Sequence, residues 1–201
     1  MIKLILLFLL FIQFSFSQIK NESSAGIAYR YGSVESTITA HGFEASYQHH
    51  LYNWLYGELS FMHLSGTKFK NNFQVSSNLE QIENTSGIAD RAMLNSVNLK
   101  VHLSFINTKK HLLSIYYGPS LYWFNSSTYD EINFNNQLEF WYKNTYGNGI
   151  GTVFGFTYLF KLKEKYKIGV DAMLFDNKKR DDLSIVFVNN LSVGILIQRN
   201  F

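Results

Sequence analysis

The sequence predicts an all-β fold: an eight-stranded antiparallel up-and-down barrel that crosses a membrane, preceded by a cleavable signal peptide. Three observations carry this. Eight segments alternate apolar and polar residues with a period of two, as half-apolar strands do. The connections between them are alternately short and long, the asymmetry of transmembrane barrels. After the first seventeen residues no stretch approaches the ~18–20 uninterrupted apolar residues of a spanning helix. Only helices and closed barrels satisfy every backbone group in lipid, so a crossing made by this chain is a barrel.

Residues 1–17 carry Lys3, an apolar run, and small Ser15 and Ser17 before Gln18, which is the order of an export signal. Residues 18–201 suffice for one domain and contain no repeat of 20–50 residues.

Strand one is read at 23–31, with Ala25, Ile27, Tyr29 and Tyr31 opposite Gly26, Ala28 and Arg30. Strand two, 42–49, sets Phe43, Ala45 and Tyr47 against Glu44, Ser46 and Gln48. Strand three, 54–62, sets Leu55, Leu59 and Phe61 against Tyr56, Glu58 and Ser60. Strand four, 96–105, is the most regular: Val97, Leu99, Val101, Leu103 and Phe105 oppose Ser96, Asn98, Lys100, His102 and Ser104. Strand five, 112–123, turns Leu113, Ile115, Tyr117, Leu121 and Trp123 outward, and Pro119 on that face predicts a bulge. Strand six, 149–160, sets Ile150, Phe154, Phe156, Tyr158 and Phe160 against Gly149, Gly151, Gly155 and Thr157. Strand seven, 166–175, turns Ile168, Val170, Ala172 and Leu174 outward. In strand eight Leu191, Val193, Ile195, Ile197 and Phe201 share one face, and Ser192, Gly194, Gln198 and Asn200 the other, where Leu196 is the one apolar member. Hairpin pairing leaves 191–201 opposite strand seven, although apolar alternation runs back through Phe187, Ile185 and Leu183.

Connections 50–53, 107–110 and 161–165 are short; 32–41, 64–95, 124–148 and 176–190 are long. Short turns belong on the periplasmic side and long loops outside, so both mature termini are expected in the periplasm. Aromatics near strand ends (Tyr29, Tyr31, Tyr47, Trp54, Phe105, Trp123, Phe160 and Tyr166) suit two interfacial girdles.

Composition agrees. Proline occurs once, and a barrel without edges needs few prolines to guard them. A mean hydropathy of −0.08 suits strands with one polar face and is too low for a helical membrane protein. The absence of cysteine removes disulfides, thiolate catalysis and cysteine metal sites. The net charge of +3 is spread along the chain without a basic stripe, which speaks against nucleic-acid binding. No cofactor or metal site is read, and the barrel is taken as a monomer.

The inward face carries Arg30, Glu44, Glu58, Lys100, His102, Lys167 and Asp171, with both signs on different strands. An eight-stranded barrel is just wide enough for side chains to fill it. Unpaired buried charges are costly, so these are expected to pair across the lumen, and the favoured reading is a structural plug. The other is a gated ion path or proton relay. His102 reads as a network member rather than a metal ligand.

The chain from 18 onward resembles the small OmpA/OmpX-like eight-stranded outer-membrane barrels. The resemblance rests on the signal peptide, the glycine-rich run Gly149-Ile-Gly-Thr-Val-Phe-Gly-Phe-Thr-Tyr158, the run Tyr117-Gly-Pro-Ser-Leu-Tyr122, and a last strand that stops on aromatic Phe201. It implies location in the bacterial outer membrane, contact with outer-membrane lipid, and use of Phe201 as an assembly signal for the barrel assembly machinery. It implies no single function, because fold does not fix function.

The leading reading is a non-enzymatic barrel acting through its long extracellular loops, in surface binding, adhesion or envelope structure, with an extracellular partner the sequence does not name. Loop 64–95 is too long for a simple connection. An alternative is a lipid-modifying hydrolase, since His63-Leu-Ser65 is similar to the His-x-Ser core of barrel-type lipid A deacylases. Gly66 stands where that motif has Asn, and Glu80 and Glu83 serve as orienters only if the loop folds back. His102-Leu-Ser104 has the same spacing on the inward face. A soluble secreted barrel of lipocalin type is equally compatible with residue polarity, provided the apolar faces turn inward.

Overall fold

The computed structural model describes residues 22–34, 38–52, 54–69, 89–134, 137–162, 165–176 and 190–201. The segment assigned to the signal peptide lies outside them, as do Glu80, Glu83, Leu183, Ile185 and Phe187. The chain forms β1 (Ser23–Val34), β2 (Ile38–Tyr52), β3 (Leu55–Phe69), β4 (Ala89–Asn107), β5 (His111–Phe134), β6 (Gln137–Leu162), β7 (Tyr166–Asp176) and β8 (Asn190–Asn200). Each strand pairs antiparallel with the next, and β8 pairs with β1, closing the barrel. The all-β, eight-stranded up-and-down architecture read from the sequence is the one observed.

The strands lean around the axis. His50 N–H donates to the Glu22 carbonyl. A path across the ladder from there through Tyr56, His102, Tyr116, Gly155, Met173 and Ser192 returns to β1 at Gly32 rather than at Glu22. Such stagger is what closing a twisted sheet requires.

Away from two register shifts near the short turns, side chains alternate between outside and lumen. Ile27, Leu59, Leu99, Leu121, Phe154, Val170 and Ile195 are exposed on the outer surface, and Arg30, Glu44, Glu58, Lys100, His102 and Asp171 are buried inside. A lipocalin-type barrel needs the reverse orientation, so that alternative fails here.

Several strands are longer than their alternation suggests, because the polarity of the two faces inverts towards the long-loop end. In β3 the lumen receives Glu58 and Ser60 and then Met62 and Leu64, while outside Leu59 and Phe61 give way to His63 and Ser65. In β2 Ile38 and Ala40 are buried against exposed Thr39 and His41. In β5 Tyr122 and Phe124 are buried, whereas Asn125 and Ser127 face outward. A reading tuned to apolar-out stops where the pattern reverses. Much of what it assigned to loops 32–41, 64–95 and 124–148 is therefore strand. The buried apolar side chains of this end, among them Met62, Leu94, Val153, Met173 and Phe175, form one cluster. A smaller one, with Tyr56, Leu112, Leu159 and Leu196, lies nearer the short turns.

Two register shifts occur, both at the turn end: between His50 and Tyr52 in β2 and between Ser104 and Ile106 in β4. Each inserts one residue and turns consecutive apolar side chains outward, Leu51 with Tyr52 and Phe105 with Ile106. The bulge predicted at Pro119 is absent. The β5–β6 register runs unbroken from His111↔Phe160 to Phe134↔Gln137, and the β4–β5 register is the same on both sides of Pro119. Gly118 explains this. A Cβ there would overlap the Leu99 carbonyl, so the glycine lets β4 close in and absorbs the proline locally.

Candidate functional site

The barrel interior is crossed by an ionic layer to which every strand contributes. Arg30 of β1 is at its centre. Its Nε donates to Glu44 Oε2 at 2.5 Å, and its Nη2 pairs with Asp171 Oδ1 and Glu44 Oε2. Its Nη1 reaches Ser192 Oγ of β8 at 3.4 Å. Lys100 of β4 bridges two carboxylates, with Nζ 2.6 Å from Glu44 Oε1 and 2.7 Å from Glu58 Oε1. Thus Asp171, Arg30, Glu44, Lys100 and Glu58 form one continuous chain of alternating charge.

Neutral groups complete the carboxylates' shells. Ser60 Oγ donates to Glu44 Oε1 and Gln48 Nε2 to Glu58 Oε2, each at 2.5 Å. Thr157 Oγ1 donates to Asp171 Oδ2 at 2.6 Å, and Tyr116 OH to Asp171 Oδ1 at 3.0 Å. Asn98 sits between Ser60 and Ser120, donating to the first at 3.2 Å and accepting from the second at 2.6 Å. A buried ion pair gains stability only when its remaining hydrogen-bond capacity is also met. Here it is met from β2, β3, β5 and β6.

Below the ions runs an aromatic ladder. His50 stacks on Tyr56 at 5.1 Å between centroids, Tyr56 on His102 at 4.3 Å, and His102 meets Tyr116 at 4.8 Å. Lys100 Nζ lies 4.8 Å from the Tyr116 ring centroid, within cation–π range. Gly155 opposite leaves the space that the Tyr116 hydroxyl occupies. His102 Nε2 is 3.2 Å from Glu58 Oε2, but neither ring nitrogen has a hydrogen-bond partner among the described residues.

The six residues read from the sequence as a lumen network (Arg30, Glu44, Glu58, Lys100, His102 and Asp171) lie together in this layer. Lys167 does not join it; it is buried nearer the turns. Sequence reasoning gave no role to Tyr116, Thr157 or Ser192. Their inward parity was legible, but the stagger that carries β7 and β8 to Arg30 was not. His63 and Ser65 are half-buried on the outer surface, beyond the polarity reversal. His63 Nδ1 is bonded to Asn95 Oδ1 at 2.7 Å, and no described contact joins it to Ser65. Phe201 is 68% exposed, and its N–H donates to the Ser23 carbonyl at 2.9 Å. Among the described residues no cluster of three or more metal-ligating side chains occurs.

No protein-family model matches the chain, and no curated protein sequence does. Solved structures do match. The attachment invasion locus protein Ail of Yersinia pestis superposes with a TM-score of 0.50 at 15% identity, over 91% of this chain and 100% of that one. Neisserial surface protein A gives 0.50 at 12% identity, over 90% and 96%. A major outer membrane protein of Thermus thermophilus gives 0.56 at 11% identity, over 89% and 99%.

The fold is that of the small eight-stranded outer-membrane barrels. At these identities the likeness concerns architecture alone. Within this outer-membrane-type barrel, the ionic layer and the loop-end apolar cluster fill the interior in successive levels.

Proposed function

We propose that this chain is a non-enzymatic barrel of the bacterial outer membrane, closed by its ionic plug, whose working surface is the long-loop end. The observation that carries this is the outer face. Exposed apolar side chains such as Ile27, Leu59, Leu99, Leu121, Phe154, Val170 and Ile195 surround the barrel, while Arg30, Glu58, Lys100 and Asp171 of the same strands are buried inside it. In water that arrangement leaves a large apolar surface uncovered; in lipid it is the stable one. Among the described residues no helix is long and apolar enough to cross a membrane.

The plug supports a structural lumen over a conducting one, since the ion pairs link β1, β2, β3, β4 and β7 beneath an apolar layer. The working surface is assigned to the loop end because β5 and β6 remain paired to Phe134↔Gln137, well past the last β4–β5 pair at Arg91↔Ser127. That end would present a partner-binding surface, in attachment or envelope structure, with both termini in the periplasm.

Fractionation of the native envelope tests the location. The barrel should sediment with the outer membrane and migrate faster unheated than boiled. Orientation is tested by single-cysteine labelling, which a cysteine-free chain permits. Asn144→Cys should react with an impermeant maleimide on intact cells, and Lys110→Cys only after the envelope is broken. A soluble, detergent-free monomer, or the opposite labelling pattern, overturns this reading.

A further inference from the structure

The turn-end mouth of the lumen holds polar groups that the plug does not use. Lys161, Lys167 and Gln198 lie side by side on β6, β7 and β8, paired directly as Lys161↔Lys167 and Lys167↔Gln198. Lys167 is 3% exposed and Gln198 1%. Among the described residues, neither Gln198 Nε2 nor Oε1 has a hydrogen-bond partner. His50 Nε2 is also buried without a partner there and lies within electrostatic reach of both lysines. Glu22 is the one described acid acting on the two lysines, at longer than ion-pair range. Lys161 is held aside, donating to Asn107 Oδ1 at 2.6 Å and to the Thr108 carbonyl at 2.7 Å.

Like charges directly opposite each other on neighbouring strands destabilise a sheet, and a buried amide without partners does so as well. Both faults lie on one row of the lumen wall. A bound oxyanion relieves them together: it accepts from the Lys167 ammonium and from the Gln198 amide, and it screens one lysine from the other. Gly26 completes the seat. A Cβ there would press into Gln198 Cγ at 2.7 Å, so the glycine lets the amide lie flat against β1.

We propose that Lys167 and Gln198, flanked by Lys161 and His50, form a binding site for a phosphate group at the turn-end mouth of the barrel. The site rests on the fold and not on the cellular location, so its test is independent of that reading. The same chemistry fits inorganic phosphate or the headgroup of an anionic phospholipid.

The experiment uses the whole barrel folded in zwitterionic micelles at constant ionic strength. Inorganic phosphate is titrated while the thermal midpoint and the phosphorus-31 linewidth are followed. Wild type should saturate. Lys167→Met should bind about tenfold more weakly or worse, as expected for loss of one hydrogen bond to a charged group. Lys109→Met, at the exposed turn, should behave as wild type. Should Lys167→Met fail to fold, Gln198→Glu serves instead. Its carboxylate supplies Lys167 with a partner, so it should raise the thermal midpoint and abolish the phosphate response. A second arm repeats the titration in phosphatidylglycerol and in phosphatidylcholine vesicles. Loss of the response only in phosphatidylglycerol assigns the site to the headgroup, and retention in both assigns it to free phosphate. A response that does not saturate, or that Lys167→Met and Gln198→Glu leave intact, overturns the proposal.

Discussion

Tyr56 and His102 stack inside the barrel with ring centroids 4.3 Å apart and planes inclined by 21°. The Tyr56 hydroxyl is also bonded to Ser114 Oγ at 2.5 Å. Stacking and hydrogen bonding separate by mutation. Tyr56→Phe keeps the ring and should destabilise the barrel by about 1 kcal/mol. Tyr56→Ala empties the site and should cost about 3–5 kcal/mol. Urea unfolding in lipid vesicles measures both, and equal losses would mean that the ring contributes nothing.

Removing a centre of the ionic plug strands its partners. Arg30→Met leaves Glu44 and Asp171 buried without their common cation and should cost roughly 3–5 kcal/mol. Adding Asp171→Asn should recover part of that loss, with a coupling of about 0.5–3 kcal/mol in a double-mutant cycle. Strict additivity would show that the two residues do not act as a pair.

On the outer face, Leu99→Arg and Val101→Arg should each cost about 2–4 kcal/mol in a bilayer if they lie near its midplane, and less near an interface. Asn98→Arg, on the lumen side, should not be mild. Asn98 is fully buried between Ser60 and Ser120, so the larger side chain overpacks a filled space at about 1–3 kcal/mol before its lost hydrogen bonds are counted. Its effect should persist in micelles, whereas the outer-face effect follows bilayer thickness.

Two identical substitutions should diverge. Gly118→Ala drives a methyl group into the Leu99 carbonyl and should disrupt the β4–β5 seam, lowering the yield of folded barrel. Gly57→Ala meets nothing within 4 Å and should change stability by no more than about 0.5 kcal/mol. Heat-modifiable gel mobility reads both. Similar behaviour of the pair would mean that the close approach at Gly118 does not exist in solution.

Catalysis at the outer surface is expected to be absent. His63 is bonded to Asn95 rather than to Ser65, and a hydroxyl nucleophile needs a base within reach. Mass spectra of cellular lipid A should be the same for wild type, His63→Ala and Ser65→Ala. Loss of a deacylated species in both variants, at unchanged barrel level, would make the protein an enzyme.

The alternation of β4, from Ser96 to Phe105, made its facing legible, and the same rule placed Arg30, Glu44, Glu58 and Asp171 on one inner surface. Which of them meet was not legible. Asp171 reaches Arg30 through the stagger of the closed ladder, a property of all eight registers together. Pro119 misled because its neighbour Gly118 removes the conflict that a proline creates. His63 and Ser65 ended strand three too early, because outer polarity was taken as a sign of loop.

That inversion at Met62 and Leu64 means the barrel is built for two solvents in series. Below it, lipid would supply the apolar phase outside and the ions lie within; beyond it, the apolar phase moves inside and the wall is wetted, as in a small water-soluble domain. The outer storey therefore carries its own cohesion. Its shape should not depend on bilayer thickness or composition, and in the proposed orientation whatever its loops display would be held at a fixed height above the membrane. Changes at the tips of those loops should leave insertion untouched, and this gives the surface freedom to vary while the embedded half stays constant.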